Sequence, residues 1–219
     1  MKTIVCYGDS NTWGHRSYKV KQTDPALLRF PWGVRWTSLL QAKLGGEYRV
    51  EEEGLNGRTT MFDDPMSDFR NGLASIDTCM LTKYPVDMVI VMLGTNDTKE
   101  FFGMPPYIIA RGAGRIIERI QKGAFGPNGG VPEILLVSPI RLNPSILDGW
   151  LEVEFGRKSL ETDAALAANY ARIAQDMGVH FMDAGQYVMA DEGDGVHMNE
   201  EGHAVLADRM YEKVKEILG

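Results

Sequence analysis

The stretch Met88-Val89-Ile90-Val91-Met92-Leu93 is an unbroken apolar run, with no alternation between apolar and polar residues. A strand with one face in water alternates, whereas a strand covered on both faces reads as a continuous apolar run. Parallel sheets are covered on both faces by the helices that connect their strands. This stretch therefore predicts an internal strand of a parallel sheet.

Four further strand candidates lie on either side of this run, and helical patterns separate them. The five predicted strands are Thr3–Tyr7, Tyr48–Glu52, Asp87–Leu93, Glu133–Val137 and Val179–Met182. The predicted helices fall near residues 34–44, 69–81, 108–120, 160–177 and 200–218, the last with Asn199 as its N-cap. Strands that alternate with helices form βαβ units. We therefore expect an α/β fold, a three-layer α/β/α sandwich with a five-stranded parallel sheet, as a single domain over residues 1–219.

The composition is that of an ordinary globular protein, and it argues against several functional classes. The formal net charge of −7 is unlike a nucleic-acid-binding protein, which carries a basic footprint. Cys6 lies in an apolar run, where we expect a buried thiol, and neither it nor Cys79 has a C-x-x-C partner. We find no signal-peptide pattern and no apolar stretch of about 18 residues, so we expect no membrane partner and a cytoplasmic protein.

Two short polar segments at opposite ends of the chain carry the groups that nucleophilic catalysis needs. Gly8-Asp9-Ser10 follows the first predicted strand, and Asp194-Gly195-Val196-His197 lies between the fifth strand and the last helix. A serine hydroxyl attacks efficiently when a histidine takes its proton and a carboxylate orients that histidine. Both segments follow the carboxyl ends of strands, where open α/β sheets bind ligands. Ser10, His197 and Asp194 are therefore a candidate triad, although each alone also suits a turn or a helix cap.

The other three histidines lack this pattern. Only His197 has an aspartate three residues before it in a glycine-containing turn. His180 falls inside the fifth predicted strand, where we expect a structural role. His203 falls within the last predicted helix, where we expect it on the surface. His15 lies in the long loop after the first strand and could line a pocket.

Two loops could supply hydrogen-bond donors to an oxyanion. The Asn96 amide follows the third strand within Gly94-Thr95-Asn96-Asp97, and Gly57 follows the second strand and could present its backbone N–H at close approach. Each loop alone also suits an ordinary turn. Asp9 and Asp97 flank these candidate positions, and we expect them to hold loop backbones.

Six aromatic residues in the loops could form an acyl pocket, a subunit contact or scattered packing: Trp13, Trp32, Phe101, Phe102, Trp150 and Phe155. No cluster of acidic, histidine and cysteine residues has metal-ligand spacing. We therefore predict neither a metal nor another cofactor.

Taken together and in this order, the four polar segments resemble the SGNH hydrolase superfamily, also called the GDSL esterase/lipase family. Its four blocks match Gly8-Asp9-Ser10, the Gly57 loop, Gly94–Asp97 and Asp194–His197, and the resemblance covers essentially the whole chain. Four stretches are similar in particular to the arylesterase/acyltransferase branch: Glu52–Leu55, Arg58–Thr60, Met92–Lys99 and Asp183–Gly185.

This resemblance implies a flavodoxin-like fold and a serine esterase that hydrolyses small aryl or short-chain acyl esters, with acyl transfer to alcohols as a further activity. It implies that Ser10 is the nucleophile, His197 the base and Asp194 its orienter. The oxyanion hole would comprise the backbone N–H groups of Ser10 and Gly57 and the side chain of Asn96. The resemblance also makes a homo-oligomer plausible, with the long loops as contact elements.

The chain departs from the family pattern at one position beside the nucleophile. Asn11 stands where the name-giving motif has leucine. We expect this change to alter packing next to Ser10 and to leave the chemistry intact.

Three alternatives remain open, one of which is a non-catalytic scaffold that kept the fold; intact candidates for every catalytic role argue against that one. A carbohydrate acetylesterase or a thioesterase could use the same scaffold, because loops read the leaving group. A flavodoxin-like module could instead bind an anion at Gly8–Gly14 without catalysis. That loop lacks both G-x-G-x-x-G and the P-loop ending, and a binding module leaves Asp194–His197 unexplained.

Overall fold

The computed structural model describes residues 1–219 and contains a five-stranded sheet in which every pairing is parallel. The strands are β1 (Lys2–Gly8), β2 (Tyr48–Gly54), β3 (Met88–Met92), β4 (Glu133–Ser138) and β5 (His180–Asp183). Their order across the sheet is β2-β1-β3-β4-β5. The predicted strands are confirmed, with every boundary within two residues of its expected place.

Six helices connect or follow the strands: α1 (Ser10–Trp13), α2 (Trp36–Leu44), α3 (Gly72–Lys83), α4 (Pro106–Gly123), α5 (Arg157–Met177) and α6 (Glu200–Leu218). The sequence predicted all except α1, which has four residues and is too short to show a helical period. The Asn199 side chain accepts the N–H of Gly202 at 2.9 Å, which makes it the N-cap of α6, as predicted.

Alternate residues of the strands face opposite helical layers. Ile4 and Cys6 of β1 pack with side chains of α2 and α6, whereas Val5 and Tyr7 pack with those of α3, α4 and α5. All four are fully buried, including the expected Cys6 thiol. The three-layer α/β/α sandwich is therefore confirmed.

The strand order decides which loops meet at the carboxyl edge of the sheet. Because β1 lies between β2 and β3, the loops after β2 and β3 flank the residues that follow β1. Strand β5 is three positions from β1, a separation of roughly 14 Å at the usual strand spacing. The segment of residues 184–194 spans this separation and brings the second predicted polar segment back to the first.

His203 is buried, which corrects its predicted surface position. Its side chain is fully inaccessible, and its Nδ1 accepts the backbone N–H of Trp36 at 3.2 Å. His203 lies on the same face of α6 as Leu206 and Met210, and this face packs on α2 and the sheet. Burial, together with the charges of His197 and Arg35, lowers the pKa of His203 to about 3.

His180 lies at the start of β5 with its ring exposed, and its Nε2 is 3.1 Å from a carboxylate oxygen of Glu133. None of the helices combines the length and the apolar character that crossing a membrane requires.

Candidate active site

Ser10 is presented by a tight turn from β1 into α1. The Asp9 carboxylate caps this turn by accepting the N–H of Asn11 at 2.9 Å, and the Asp9 carbonyl accepts the N–H groups of Thr12 and Trp13. A side chain at Gly8 would collide with Thr12, since a Cβ there would lie 2.0 Å from the threonine oxygen. The turn therefore needs glycine at Gly8, and it leaves Ser10 nearly buried at the sheet edge.

The structure brings Ser10, His197 and Asp194 into one hydrogen-bonded chain. Ser10 Oγ lies 2.9 Å from His197 Nε2, and His197 Nδ1 lies 2.7 Å from Asp194 Oδ2. The other oxygen of Asp194 accepts the backbone N–H groups of Val196 and His197, both at 2.9 Å. One carboxylate thus fixes both the backbone and the ring of His197.

Asp194 is held in its ionised form. Burial by itself acts to raise the pKa of its carboxyl, but the charge of His197 and the hydrogen bonds from His197 and Val196 outweigh it. The net result is a lowered pKa for Asp194. An ionised carboxylate accepts the Nδ1 proton of His197 and leaves Nε2 free to face Ser10.

The candidate oxyanion donors lie on the two loops that flank Ser10. Gly57 has a φ of +79°, a conformation that favours glycine, and its backbone N–H donates to no acceptor within the protein. The Asn96 amide donates to the carbonyl of Arg58 at 3.1 Å, which ties the two loops together. Ser10, Gly57 and Asn96 line the same pocket.

Asp9 and Asp97 hold loop backbones, as expected. The Asp97 carboxylate accepts the backbone N–H of Thr60 at 2.9 Å and the Thr60 hydroxyl at 2.5 Å, which fixes the chain just after Gly57. Burial raises the pKa of Asp97 to about 7 and that of Asp9 to about 6, although their hydrogen bonds act in the opposite direction.

His15 lies over the candidate base, and its predicted place in a pocket is confirmed. The ring centroids of His15 and His197 are 4.2 Å apart, and both side chains line the pocket that contains Ser10. Burial, followed by the charge of His197, lowers the pKa of His15 to about 3. His15 is therefore neutral at pH 7 and packs against the face of the His197 ring.

Asn11 contacts polar backbone groups. The expected difference beside Ser10, relative to the leucine of the family motif, is therefore a difference in hydrogen bonding. Its side chain is almost fully buried, and its amide donates to the carbonyl of Val196 at 3.1 Å. Its side-chain oxygen accepts the N–H of Met198 at 3.1 Å. A leucine here could form neither bond.

The pocket beside Ser10 has a volume of about 140 Å³. Two of the six predicted aromatic residues, Trp150 and Phe155, line it together with Leu151. Sequence reasoning missed Lys99 and Glu154, which also line the pocket and form an ion pair at 2.8 Å. No local pattern marks this pair, because its members lie 55 residues apart in loops.

The other four aromatic residues lie outside the pocket lining. Trp32 and Phe101 are 61% and 45% exposed, and Phe102 packs near Phe101 and Phe62. Trp13 lies against the guanidinium of Arg29. The structure contains no group of three or more histidine, cysteine, aspartate or glutamate side chains arranged to hold a metal ion.

Comparison with known proteins assigns the family. Residues 6–205 match the profile of the GDSL-like lipase/acylhydrolase family. The chain belongs to this family. The resemblance to the SGNH hydrolase superfamily is thereby confirmed, and family membership makes the chain a carboxylic ester hydrolase, as predicted.

Solved structures of this family superimpose on the chain over nearly its full length. The aryl esterase of M. smegmatis is 36% identical, with a TM-score of 0.90 and coverage of 99% of both chains. Est24, a carbohydrate acetylesterase from Sinorhizobium meliloti, is 37% identical with a TM-score of 0.90, and the match covers 99% of this chain and 100% of Est24.

A lipase/acylhydrolase from Enterococcus faecalis is 18% identical with a TM-score of 0.66, and the match covers 99% of this chain and 97% of the other. This third likeness shows the fold alone. A search of curated proteins found no match.

Proposed function

We propose that this member of the family is a serine esterase in which Ser10 is the nucleophile, His197 the general base and Asp194 its orienter. The observation that carries the proposal is the continuous chain of short contacts, 2.9 Å from Ser10 Oγ to His197 Nε2 and 2.7 Å from His197 Nδ1 to Asp194 Oδ2. A histidine within hydrogen-bond reach of both a serine and a carboxylate has the geometry that acyl transfer requires.

The first step acylates Ser10. His197 Nε2 takes the proton of Ser10 as Oγ attacks the carbonyl carbon of the ester, and the carbonyl oxygen becomes an oxyanion. The backbone N–H groups of Ser10 and Gly57 and the amide of Asn96 donate to that oxyanion. Collapse of the intermediate breaks the ester bond, and His197 gives its proton to the leaving alcohol.

The second step releases the acyl group. Water attacks the acyl-enzyme, His197 takes its proton, and the acid leaves as Ser10 regains a hydrogen. An alcohol that replaces water in this step yields a new ester. The apolar side of the small pocket, formed by Trp150, Leu151 and Phe155, supports such transfer, because it gives an alcohol's carbon chain a favourable surface that water cannot use.

Ester hydrolysis is tested most directly with p-nitrophenyl acetate and a fluorophosphonate probe. We expect Ser10→Ala to lower kcat by at least about 10⁴-fold and to abolish labelling. Ser138→Ala is the matched control, because Ser138 is a buried serine at the same sheet edge that contacts Asp183 and lies outside the pocket. Equal activity in wild type and Ser10→Ala, or no labelling of wild type, would favour the binding-module alternative.

Acyl transfer is tested by the ratio of ester to acid formed when an alcohol is added in water. We expect this ratio to rise with alcohol concentration, as it does when alcohol and water compete for one acyl-enzyme. Acid as the sole product at every alcohol concentration would limit the proposal to hydrolysis.

A carbohydrate acetylesterase is the second candidate, and the surface beside the pocket favours it. A larger cleft of about 350 Å³ shares Lys99 with the pocket, and most of its lining residues are polar or charged, among them Glu100, Lys158 and Glu161. Such a cleft suits the hydroxyl groups of a sugar, and Est24 is named a carbohydrate acetylesterase. Measuring kcat/KM on aryl acetates, acetylated sugars and acyl thioesters separates these substrate classes.

The homo-oligomeric state and the cytoplasmic location stay predictions. Light scattering of the purified chain at several concentrations measures the number of subunits.

A further inference from the structure

We infer that Asn11 is a positioning residue that sets the separation of His197 and Ser10, an inference that rests on the proposed function. Asn11 directly follows Ser10, and its side chain bonds the peptide groups on both sides of His197. We call these two hydrogen bonds, from Asn11 to Val196 and from Met198 to Asn11, the Asn11 bridge.

The Asn11 bridge spans the two ends of the chain. It joins residues 185 and 187 positions apart in sequence, through an amide whose residue is 1% exposed. The planar Asn11 amide donates to the carbonyl of Val196 and accepts the N–H of Met198. This pair of bonds resembles the pair that a strand residue makes with a neighbouring parallel strand. It therefore restricts both the distance and the orientation of the 196–198 backbone relative to the first turn of α1.

Asp194 and Asn11 hold His197 in complementary ways. The Asp194 carboxylate binds the N–H groups of Val196 and His197 and the His197 ring, so it shapes the loop internally. None of these bonds reaches Ser10. The Asn11 bridge connects the loop that Asp194 has shaped to the residue beside the nucleophile.

The backbone of Asn11 is itself held in place. The Asp9 carboxylate accepts the N–H of Asn11 at 2.9 Å, so the side chain projects from a capped turn. Neither the carbonyl of Val196 nor the N–H of Met198 has another protein partner. Removing the amide therefore leaves both groups unpaired and loosens the link between the backbone beside His197 and the turn that presents Ser10.

The test compares Asn11→Leu with Asn71→Leu. Leucine at position 11 has the same number of side-chain heavy atoms as asparagine and branches at the same carbon, but it removes both bonds. Asn71 is the matched control, because its amide also makes two backbone hydrogen bonds, to Met61 at 3.0 Å and from Ala74 at 3.2 Å, outside the pocket. Both variants are assayed well below their unfolding temperatures, with thermal unfolding recorded in parallel.

We expect Asn11→Leu to lower kcat about 10- to 100-fold with KM little changed, because a shift of about 1 Å in a catalytic group has an effect of this size. The downfield ¹H NMR resonance of the His197 Nδ1 proton should move or broaden. Asn71→Leu should lower the unfolding temperature and leave kcat and that resonance unchanged.

The inference would be overturned if Asn11→Leu keeps the wild-type kcat and an unchanged resonance. Asn11 would then have a structural role only. The same conclusion follows if Asn71→Leu lowers kcat equally. Failure of the proposed function has a different signature, because wild type would then show no dependence on Ser10 and no fluorophosphonate labelling.

Discussion

The two sides of the pocket are held together by different forces. On one side is the histidine loop, residues 194–198, where the side chains of Asp194 and Asn11 make directional hydrogen bonds to Val196, His197 and Met198. On the other side is the pocket wall, residues 144–155 between β4 and α5. There Leu151 and Phe155 pack into a small apolar cluster, which Val196 of the histidine loop joins from the other side.

The pocket wall has few polar attachments. The Trp150 indole N–H donates to the carbonyl of Tyr18 at 3.1 Å, and Glu154 pairs with Lys99. Val153, in the same wall, is 82% exposed. Apolar packing tolerates a change of side chain if volume is roughly kept, whereas a catalytic contact fails when its geometry moves by about 1 Å. We therefore expect volume-conserving changes in the pocket wall to alter the substrate range more than the chemistry.

The largest effect on kcat should come from replacing the Asp194 carboxylate, which holds the histidine loop. In Asp194→Asn the amide donates to His197 Nδ1, which moves the ring proton to Nε2 and leaves no base for Ser10. We expect kcat for p-nitrophenyl acetate to fall by about 10⁴-fold with the fold intact. Asp183→Asn is the control, since Asp183 lies at the same sheet edge and binds Ser138 and Gly185. A loss below tenfold in Asp194→Asn would contradict the role proposed for Asp194.

A smaller effect is expected from removing one of the proposed oxyanion donors. Asn96→Ala should lower kcat about 10²- to 10³-fold, with KM little affected, because the amide acts mainly on the charge of the transition state. Asn169→Ala provides the control, as its amide bonds only the carbonyl of Ala165 within α5. If steady-state kinetics show that Asn96→Ala raises KM alone, Asn96 binds the ground state and is not an oxyanion donor.

The buried carboxylate behind the Gly57 loop should make stability depend on pH. Asp97 has a pKa of about 7 in the folded chain, against 3.8 for the ordinary group. Between these values the unfolded chain loses the Asp97 proton and the folded chain keeps it, so this contribution to stability falls as pH rises from about 4 to 7. We expect urea unfolding across this range to show a pH-dependent contribution on the order of 4 kcal/mol in wild type. This contribution should be absent in Asp97→Asn.

His203 provides a comparison of opposite sign. Its pKa of about 3 lies below the ordinary 6.5, so its contribution to stability falls as pH drops from about 6.5 towards 3. As pH drops from about 6.5 towards 3, His203→Asn should therefore lose less stability than wild type. As pH rises from about 4 to 7, Asp97→Asn should lose less stability than wild type. If the two substitutions change the pH dependence of the free energy of unfolding in the same direction, these groups do not titrate as described.

The smallest expected effect concerns the pocket wall. Trp150→Ala enlarges the pocket, and it should raise the preference for p-nitrophenyl hexanoate over the acetate by about tenfold in kcat/KM, the scale of one or two extra methylene contacts. Trp32→Ala is the control, because Trp32 is largely exposed and lies outside the pocket lining. An equal shift in both variants would argue against Trp150 as a determinant of acyl length.

The elements and the order of the polar segments could be predicted because they depend on local sequence. The unbroken run of β3, the helical spacing in α4 and the Asn199 cap are patterns within a few residues. Since parallel strands end at a common edge, the residues that follow β1, β2 and β3 were expected to meet there. Ser10, Gly57 and Asn96 line one pocket for this reason.

Only the tertiary structure decided what each polar side chain meets. His203 has a polar side chain, yet its helix face packs on α2, and a contact with Trp36, 167 residues away in sequence, makes it part of the core. The bonds of Asn11 to residues beyond position 190 and the pairing of Lys99 with Glu154 are of the same kind. Local sequence encodes the periodicity of an element, whereas the partner of a side chain depends on how distant elements pack, and no short pattern contains that information.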